Sequence, residues 1–223
     1  SLYHALLDVK CVPFINSTPP PSDMSLDLLP VAKVMSPTVD VIPLGETSVL
    51  SLTKFLKGSK ANAFPVVEQV GGGGGGGSSG AARAVFRGML LRKHLLCLMK
   101  LPGGTVLKYE DLEGLDNEYV HTFSEREEGR IIQNAEAKVK ESNNVAVPTI
   151  SIEPYMDVSA MSVREDCPTS RAFLVFRSLG LRHLTVVDKM NTPVGMITRK
   201  DLLGMHIEHA VHMAENPLHA HHA

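Results

Sequence analysis

Thr198, Arg199, Lys200 and Asp201 stand in one run behind the mostly apolar stretch Val194–Ile197. They place a hydroxyl, two cations and a carboxylate where a short strand gives way to a helix. A helix beginning near Lys200 adds backbone N–H groups that lack partners in their own first turn and favour anions. Asp201 alone is ambiguous, because aspartate at a helix start is an ordinary N-cap. His206, His209, His212, His219, His221 and His222 crowd the end of the chain, and His209 and His212 share a helical face. Neither cysteine nor carboxylate stands near them at a standard ligand spacing, so no metal site is expected. Gly71–Gly77 is an unbroken glycine run. A phosphate loop needs Gly-Lys-Ser/Thr opening a helix, and none follows, so the run is expected to be a loop between two strands. Without a nucleophile elbow, an HExxH or a carboxylate pair tied to a pocket, no catalytic residue is expected, and the chain is not expected to be an enzyme.

The bulk numbers agree with a folded, non-catalytic module. In 223 residues, 43% are hydrophobic and the formal charge is −2, enough apolar content for a core and too little basic charge for a nucleic-acid partner. Cys11, Cys97 and Cys167 are far apart among apolar residues, as in core thiols of a reducing compartment. The longest apolar-looking stretch, Met89–Met99, is broken by Arg92, Lys93 and His94, so no membrane span is expected within these residues.

The elements that position the polar run occur twice. Val34–Glu68 and Tyr155–Asp188 echo each other: a β-favouring stretch, a capped turn, an amphipathic helix and a short apolar strand. Thr47 or Ser48 can cap the first helix, with Val49, Leu52, Phe55 and Leu56 facing inward. Ser170 can cap the second, with Phe173, Val175, Phe176 and Leu179 inward. Phe64–Val67 and Leu184–Val187 read as buried strands. Downstream, Phe86–Leu96 (FRGMLLRKHLL) matches Val194–Leu203 (VGMITRKDLL), so the unit is β-α-β-β-α, twice. The glycine-rich insertion makes the interval from Val67 to Gly88 21 positions, against 8 from Val187 to Gly195. Leu101–Ile150 is polar and charged. Its part Ser124–Ser142 reads as a frayed helix with few core positions, on a surface excursion or partly disordered linker.

The repeated unit ending in G-x-x-T-x-x-D, here Gly195, Thr198 and Asp201, resembles the CBS domain, a ligand-sensing module named after cystathionine β-synthase. FRSLGLRHLTVVD (Phe176–Asp188) followed by VGMITRKDL is similar to the second CBS domain of eukaryotic CLC chloride channels and anion/proton exchangers, especially the intracellular and plant-like branch. KVMSPTV (Lys33–Val39), AFPVVE (Ala63–Glu68), RGMLLRKHLL (Arg87–Leu96) and YHALLDVKCVPFI (Tyr3–Ile15) support the same resemblance, which covers roughly two thirds of the chain. It implies an α+β fold of tandem CBS domains in pseudo-twofold contact. The implied domains are 1–30, leading in from a membrane domain, and 31–100, the first CBS domain with its glycine-rich insertion at 71–80. A charged linker at 101–150, the second CBS domain at 151–208 and a histidine-rich tail at 209–223 complete the plan. The implied setting is the cytosolic face of a membrane, as a homodimer attached to its own transmembrane CLC domain.

The resemblance also implies a ligand, an adenine nucleotide with ATP first, held by Ala61, Asn62 and Ala63 together with Thr198, Arg199, Lys200 and Asp201. In that role Asp201 accepts both ribose hydroxyls in one plane. Arg199, Lys200 and the free helix N–H groups face phosphate. Some family members stack a tyrosine on adenine where this chain has Ala61, which removes a contribution of about 1–3 kcal/mol. The exchanger branch carries a polar residue there, as Asn62 is, and its amide can read the base edge. The first copy has Leu91 and His94 at the threonine and aspartate positions, so one site at most is expected. His94 reads as a half-exposed helix histidine rather than a pH sensor. Two other readings stand beside the nucleotide sensor: a structural dimerisation module that binds nothing, and a CBS module acting on some other protein.

Overall fold

The computed structural model describes residues 26–71, 82–100, 123–141 and 149–215. Cys11 and the rest of the lead-in segment, the glycine run beyond Gly71, residues 101–122 and 142–148, and His219, His221 and His222 lie outside the described residues. The chain divides into two compact units. One contains residues 40–83 and 87–159, and the other residues up to 39, 84–86 and 160 onward.

In the first unit, strand β1 (Ile42–Pro43) runs parallel to β3 (Ala63–Val70), pairing Ile42 with Val66, and β4 (Arg83–Leu91) completes the order β1-β3-β4. Strand β2 (Glu46–Ser48) pairs antiparallel with β5 (Thr149–Ser151). Helix α1 (Val49–Gly58) starts where expected: the Ser48 side chain accepts from the Ser51 N–H at 3.1 Å, and Val49, Leu52 and Leu56 are buried with Phe55 packed beside them. Helix α2 (Arg92–Lys100) follows β4 directly and buries Leu95, Leu96 and Cys97. Phe64–Val67 is buried throughout, in the middle of the sheet.

Helix α3 (Glu125–Glu141) differs from expectation. It is 17 residues long and is neither frayed nor a surface excursion. Ser124 and Glu127 form a capping box: the Ser124 N–H and hydroxyl donate to Glu127 Oε2 at 2.8 and 2.7 Å. Ile132 and Ala135 are buried, and Ile131 and Val139 pack against the same cluster that holds Leu52, Leu56 and Leu95. Four apolar positions at helical spacing suffice to seat it, although charge dominates its composition.

The second unit repeats the plan. Strands β6 (Ser162–Arg164), β7 (His183–Val187) and β8 (Pro193–Thr198) lie in the order β6-β7-β8, the first pair parallel and the second antiparallel. Helix α4 (Thr169–Ser178) joins β6 to β7, and α5 (Gly204–Glu215) follows β8. The β-α-β-β-α unit therefore does occur twice, as the CBS plan requires.

Two side-chain expectations fail here. Ser170 does not cap α4. The carbonyls of Leu29 and Leu26 accept from the Thr169 and Ser170 N–H groups at 2.8 and 3.2 Å, and the Ser170 hydroxyl donates to the Asp27 carboxylate. The preceding chain thus satisfies the helix start that a cap would otherwise serve. Leu179 is not inward but 55% exposed. Gly180 at φ +61° ends α4 and sends the Leu181 N–H back to the Phe176 carbonyl at 2.9 Å, leaving Leu179 outside the core and Ala172 within it.

The beginning of each repeat also departs from the plan. Val31 and Val34 are buried with Phe173, Phe176, Leu184 and Ile197, and Ser36 exchanges two backbone hydrogen bonds with Met196, both 3.0 Å. Residues 31–39 thus pack with the second copy's sheet rather than opening the first copy. In the other unit Asp157 and Met89 exchange the equivalent pair at 2.8 and 3.0 Å. Each crossing segment passes over a glycine. A Cβ at Gly195 would lie 2.1 Å from Met35 Sδ, and one at Gly88 would lie 2.6 Å from the Asp157 carbonyl oxygen.

Candidate functional site

Each group of expected site residues belongs to its own unit: Ala61, Asn62 and Ala63 to one, Thr198–Asp201 to the other. Within the second, strand β8 delivers Thr198 to the sheet edge, and four side-chain atoms then converge. Asp201 Oδ2 accepts from the Thr198 backbone N–H at 2.6 Å and from its hydroxyl at 2.7 Å. Asp201 Oδ1 accepts from the hydroxyl of Ser36 at 3.1 Å. The carboxylate reaching back three residues to an N–H is the acidic half of a capping box. Asp201 is therefore not the N-cap of the following helix.

Helix α5 begins at Gly204, so the expectation of a helix starting near Lys200 is corrected. Residues 199–202 instead form a turn, with the Leu203 N–H donating to the Lys200 carbonyl at 3.2 Å. Leu202 is buried and anchors that turn in the core. Arg199 and Lys200 point outward, exposed and without an ion-pair partner among the described residues.

Acceptor capacity limits what Asp201 can do. An ionised carboxylate has about four in-plane lone-pair positions, two on each oxygen. Thr198 fills both on Oδ2, and Ser36 fills one on Oδ1, so a single position has no donor among the described residues. Accepting both ribose hydroxyls in one plane, as the resemblance implies, takes two such positions, one more than stands without a donor here. One hydroxyl can be accepted as the site stands. A second requires a protein donor to let go.

The first group is tighter than the sequence suggests. Ala61 packs against the core and its N–H donates to the Ser59 hydroxyl at 3.1 Å. Ala63 is buried at the start of β3. The Asn62 carbonyl accepts from the Arg92 N–H at 2.9 Å, while its side-chain amide is exposed and has no hydrogen-bond partner among the described residues. Of these three residues only the Asn62 amide is presented for recognition.

At the equivalent corner of the first copy, the chemistry is internal. Arg92, counterpart of Arg199, has a side chain only 13% exposed. Its Nη1 and Nη2 donate to the carbonyls of Ser59 and Leu56 at 2.9 and 3.0 Å, and its Nε pairs with Glu128 at 2.9 Å. The guanidinium fork thus closes the C-terminal end of α1. His94, at the aspartate position, is half-buried, and burial with the neighbouring Lys93 charge lowers its pKa to about 4. It stays neutral across the physiological range, unlike a pH switch. His183 at the start of β7 is also held below its ordinary pKa, mainly by burial.

Ser36 is the contact that sequence reasoning does not single out. It lies 165 positions from Asp201, within a motif used only for the family resemblance, and no local signal marks its hydroxyl. His206, His209 and His212 are exposed along one side of α5, and no three metal-capable side chains come together among the described residues. No helix among the described residues is long and apolar enough to cross a membrane.

The doubled unit and its two glycine crossings define a CBS-domain pair, and the family model for the CBS domain matches residues 152–208. The wider relationship runs almost the full length. Chloride channel protein C of Dictyostelium discoideum is 31% identical over 91% of this chain and 25% of its own length. The H(+)/Cl(-) exchange transporter 7 of Mus musculus is 31% identical over 90% of this chain and 23% of its own. Chloride channel protein CLC-b of Arabidopsis thaliana is 27% identical over 96% and 27%. The chain is thus similar to CLC chloride channels and exchangers over about nine-tenths of its own length, and spans about a quarter of the length of the curated relatives it matches. Among solved structures, CBSX2 in complex with AMP matches 83% of this chain and 98% of its own at 17% identity and a TM-score of 0.44, too loose a superposition to carry a ligand argument.

Proposed function

We propose that this CBS pair is the regulatory domain of a chloride channel or chloride/proton exchanger. It senses an adenine nucleotide, ATP first, and biases transport by the attached membrane domain from the cytosolic face, as a homodimer and without catalysis of its own. The observation that carries the ligand reading is the Thr198–Asp201 corner: a carboxylate with acceptor capacity left, beside two exposed cations that no described residue neutralises. That set suits a molecule with both a hydroxyl and phosphate. Kinship with CLC channels and exchangers supports the transport setting. A nucleotide can bias transport only through unequal affinity for two arrangements of the domain.

Thermal melting of the whole chain with ATP, ADP and AMP tests this. At ten times the Kd, binding stabilises by about 1.4 kcal/mol, a rise of roughly 3–6 °C in Tm for a chain of this size. Asp201→Ala should melt lower by itself, because Thr198 loses its acceptor, and should lose the ligand-induced rise. No rise with any of the three at millimolar concentration would refute nucleotide sensing and return the structural dimerisation module.

A further inference from the structure

We propose that Ser36 sets how the nucleotide's sugar is read, by occupying one lone pair of Asp201 Oδ1 that a second sugar hydroxyl would need. This rests on the nucleotide reading above and specifies its chemistry. The Ser36 hydroxyl donates to Oδ1 at 3.1 Å, while Thr198 saturates Oδ2 with two shorter bonds at 2.6 and 2.7 Å. The two Thr198 donors are local and mutually supporting, one of them a backbone N–H that cannot turn away. Ser36 supplies the third donor, an exposed hydroxyl on the oxygen that Thr198 leaves open. Its backbone is held independently by the two hydrogen bonds to Met196, so removing the hydroxyl leaves the segment in place.

With Ser36 engaged, Asp201 accepts one sugar hydroxyl, and a ribonucleotide and its 2′-deoxy analogue are bound alike. With Ser36 gone, both lone pairs on Oδ1 are open and the 2′,3′-diol is accepted twice. The serine thus makes the site tolerant at the sugar, and its loss makes the site selective for ribose.

Calorimetric titration of the whole chain with ATP and with 2′-deoxy-ATP decides the matter. The wild-type Kd values should agree within about threefold. In Ser36→Ala, ATP should bind more tightly and the preference for ATP over 2′-deoxy-ATP should rise to roughly tenfold, as one added charge-assisted hydrogen bond provides. Ser36→Thr, which keeps the hydroxyl, should return the wild-type ratio. Binding with an unchanged ratio in Ser36→Ala, or weaker ATP binding, overturns the role of Ser36 and leaves nucleotide sensing standing. No binding of either nucleotide by wild type and variant overturns both.

Discussion

Replacing Gly88 by alanine should destabilise the protein more than the same change at Gly195, although the closest clash is worse at Gly195. A Cβ at Gly195 meets Met35 Sδ at 2.1 Å, Cγ at 2.8 Å and Cε at 3.0 Å. All three belong to an unbranched, half-buried side chain that can swing aside at a rotamer cost of about 0.5–1.5 kcal/mol. A Cβ at Gly88 meets the Asp157 carbonyl oxygen at 2.6 Å and its carbon at 3.2 Å. That carbonyl is backbone, and it accepts from the Met89 N–H at 3.0 Å in a reciprocal pair whose other bond is 2.8 Å. Moving it by the several tenths of an ångström required weakens both bonds, each worth about 1 kcal/mol net, on top of an overpacking cost of about 1–3 kcal/mol. Neither glycine has positive φ, so alanine recovers about 0.4–1 kcal/mol at both sites by restricting the unfolded chain. The balance is about 2–4 kcal/mol for Gly88→Ala and about 1 kcal/mol or less for Gly195→Ala. Urea denaturation followed by circular dichroism measures both. Met35→Ala should absorb most of the cost of Gly195→Ala, whereas Met156→Ala, which trims a side chain 3.4 Å away, should not rescue Gly88→Ala. Equal costs at the two glycines, or rescue of Gly88→Ala by Met156→Ala, would refute the distinction between yielding side chain and fixed backbone.

Two further outcomes follow from the first unit. Arg92→Lys keeps the charge but loses the fork that reaches Ser59, Leu56 and Glu128 together, and should cost about 1–3 kcal/mol in urea denaturation; a cost near zero would show that the end of α1 needs no guanidinium. His94, with its pKa lowered from 6.5 to about 4, favours the neutral ring in the fold. The unfolded chain therefore takes up a proton first, and stability present above pH 6.5 is lost as pH falls toward 4. The unscreened ceiling is about 3.4 kcal/mol, and partial solvation of the ring reduces this to roughly 1–2 kcal/mol. His94→Gln should flatten the decline in urea midpoint between pH 7.5 and pH 5, and parallel declines in variant and wild type would count against it. His183 contributes in the same direction and remains in both proteins.

Much of this architecture was legible because it is local. Ser48 capping α1, the Val49, Leu52 and Leu56 face, and the buried strands Phe64–Val67 and Leu184–Val187 each follow from neighbours within one turn or one strand. The seating of α3 was not, because Ile131, Ile132, Ala135 and Val139 are a thin stripe among charges, and burial depends on which surface they meet. Ser170 failed as a cap for a related reason. A serine before a helix signals a cap only if nothing else arrives, and the Leu26 and Leu29 carbonyls arrive from far up the chain. At the candidate site, Thr198 and Asp201 stand three residues apart in the sequence and bond to each other in the fold. What Asp201 has left to offer was invisible, since an acceptor's free capacity depends on every donor that reaches it.

By itself, the sequence determined that one β-α-β-β-α unit occurs twice and that the second copy ends in a threonine, two cations and an aspartate. These are periodicities and spacings within tens of residues, set by short-range hydrogen bonding and the alternation of buried and exposed positions. Only the tertiary structure decided that residues 31–39 pack with the second copy's sheet, and that Ser36 comes to lie against Asp201. Backbone pairing is indifferent to sequence distance once two edges match, so Ser36 finds Met196 through hydrogen bonds that any residue offers. Gly195 permits that approach, and the chemistry of the corner follows from it.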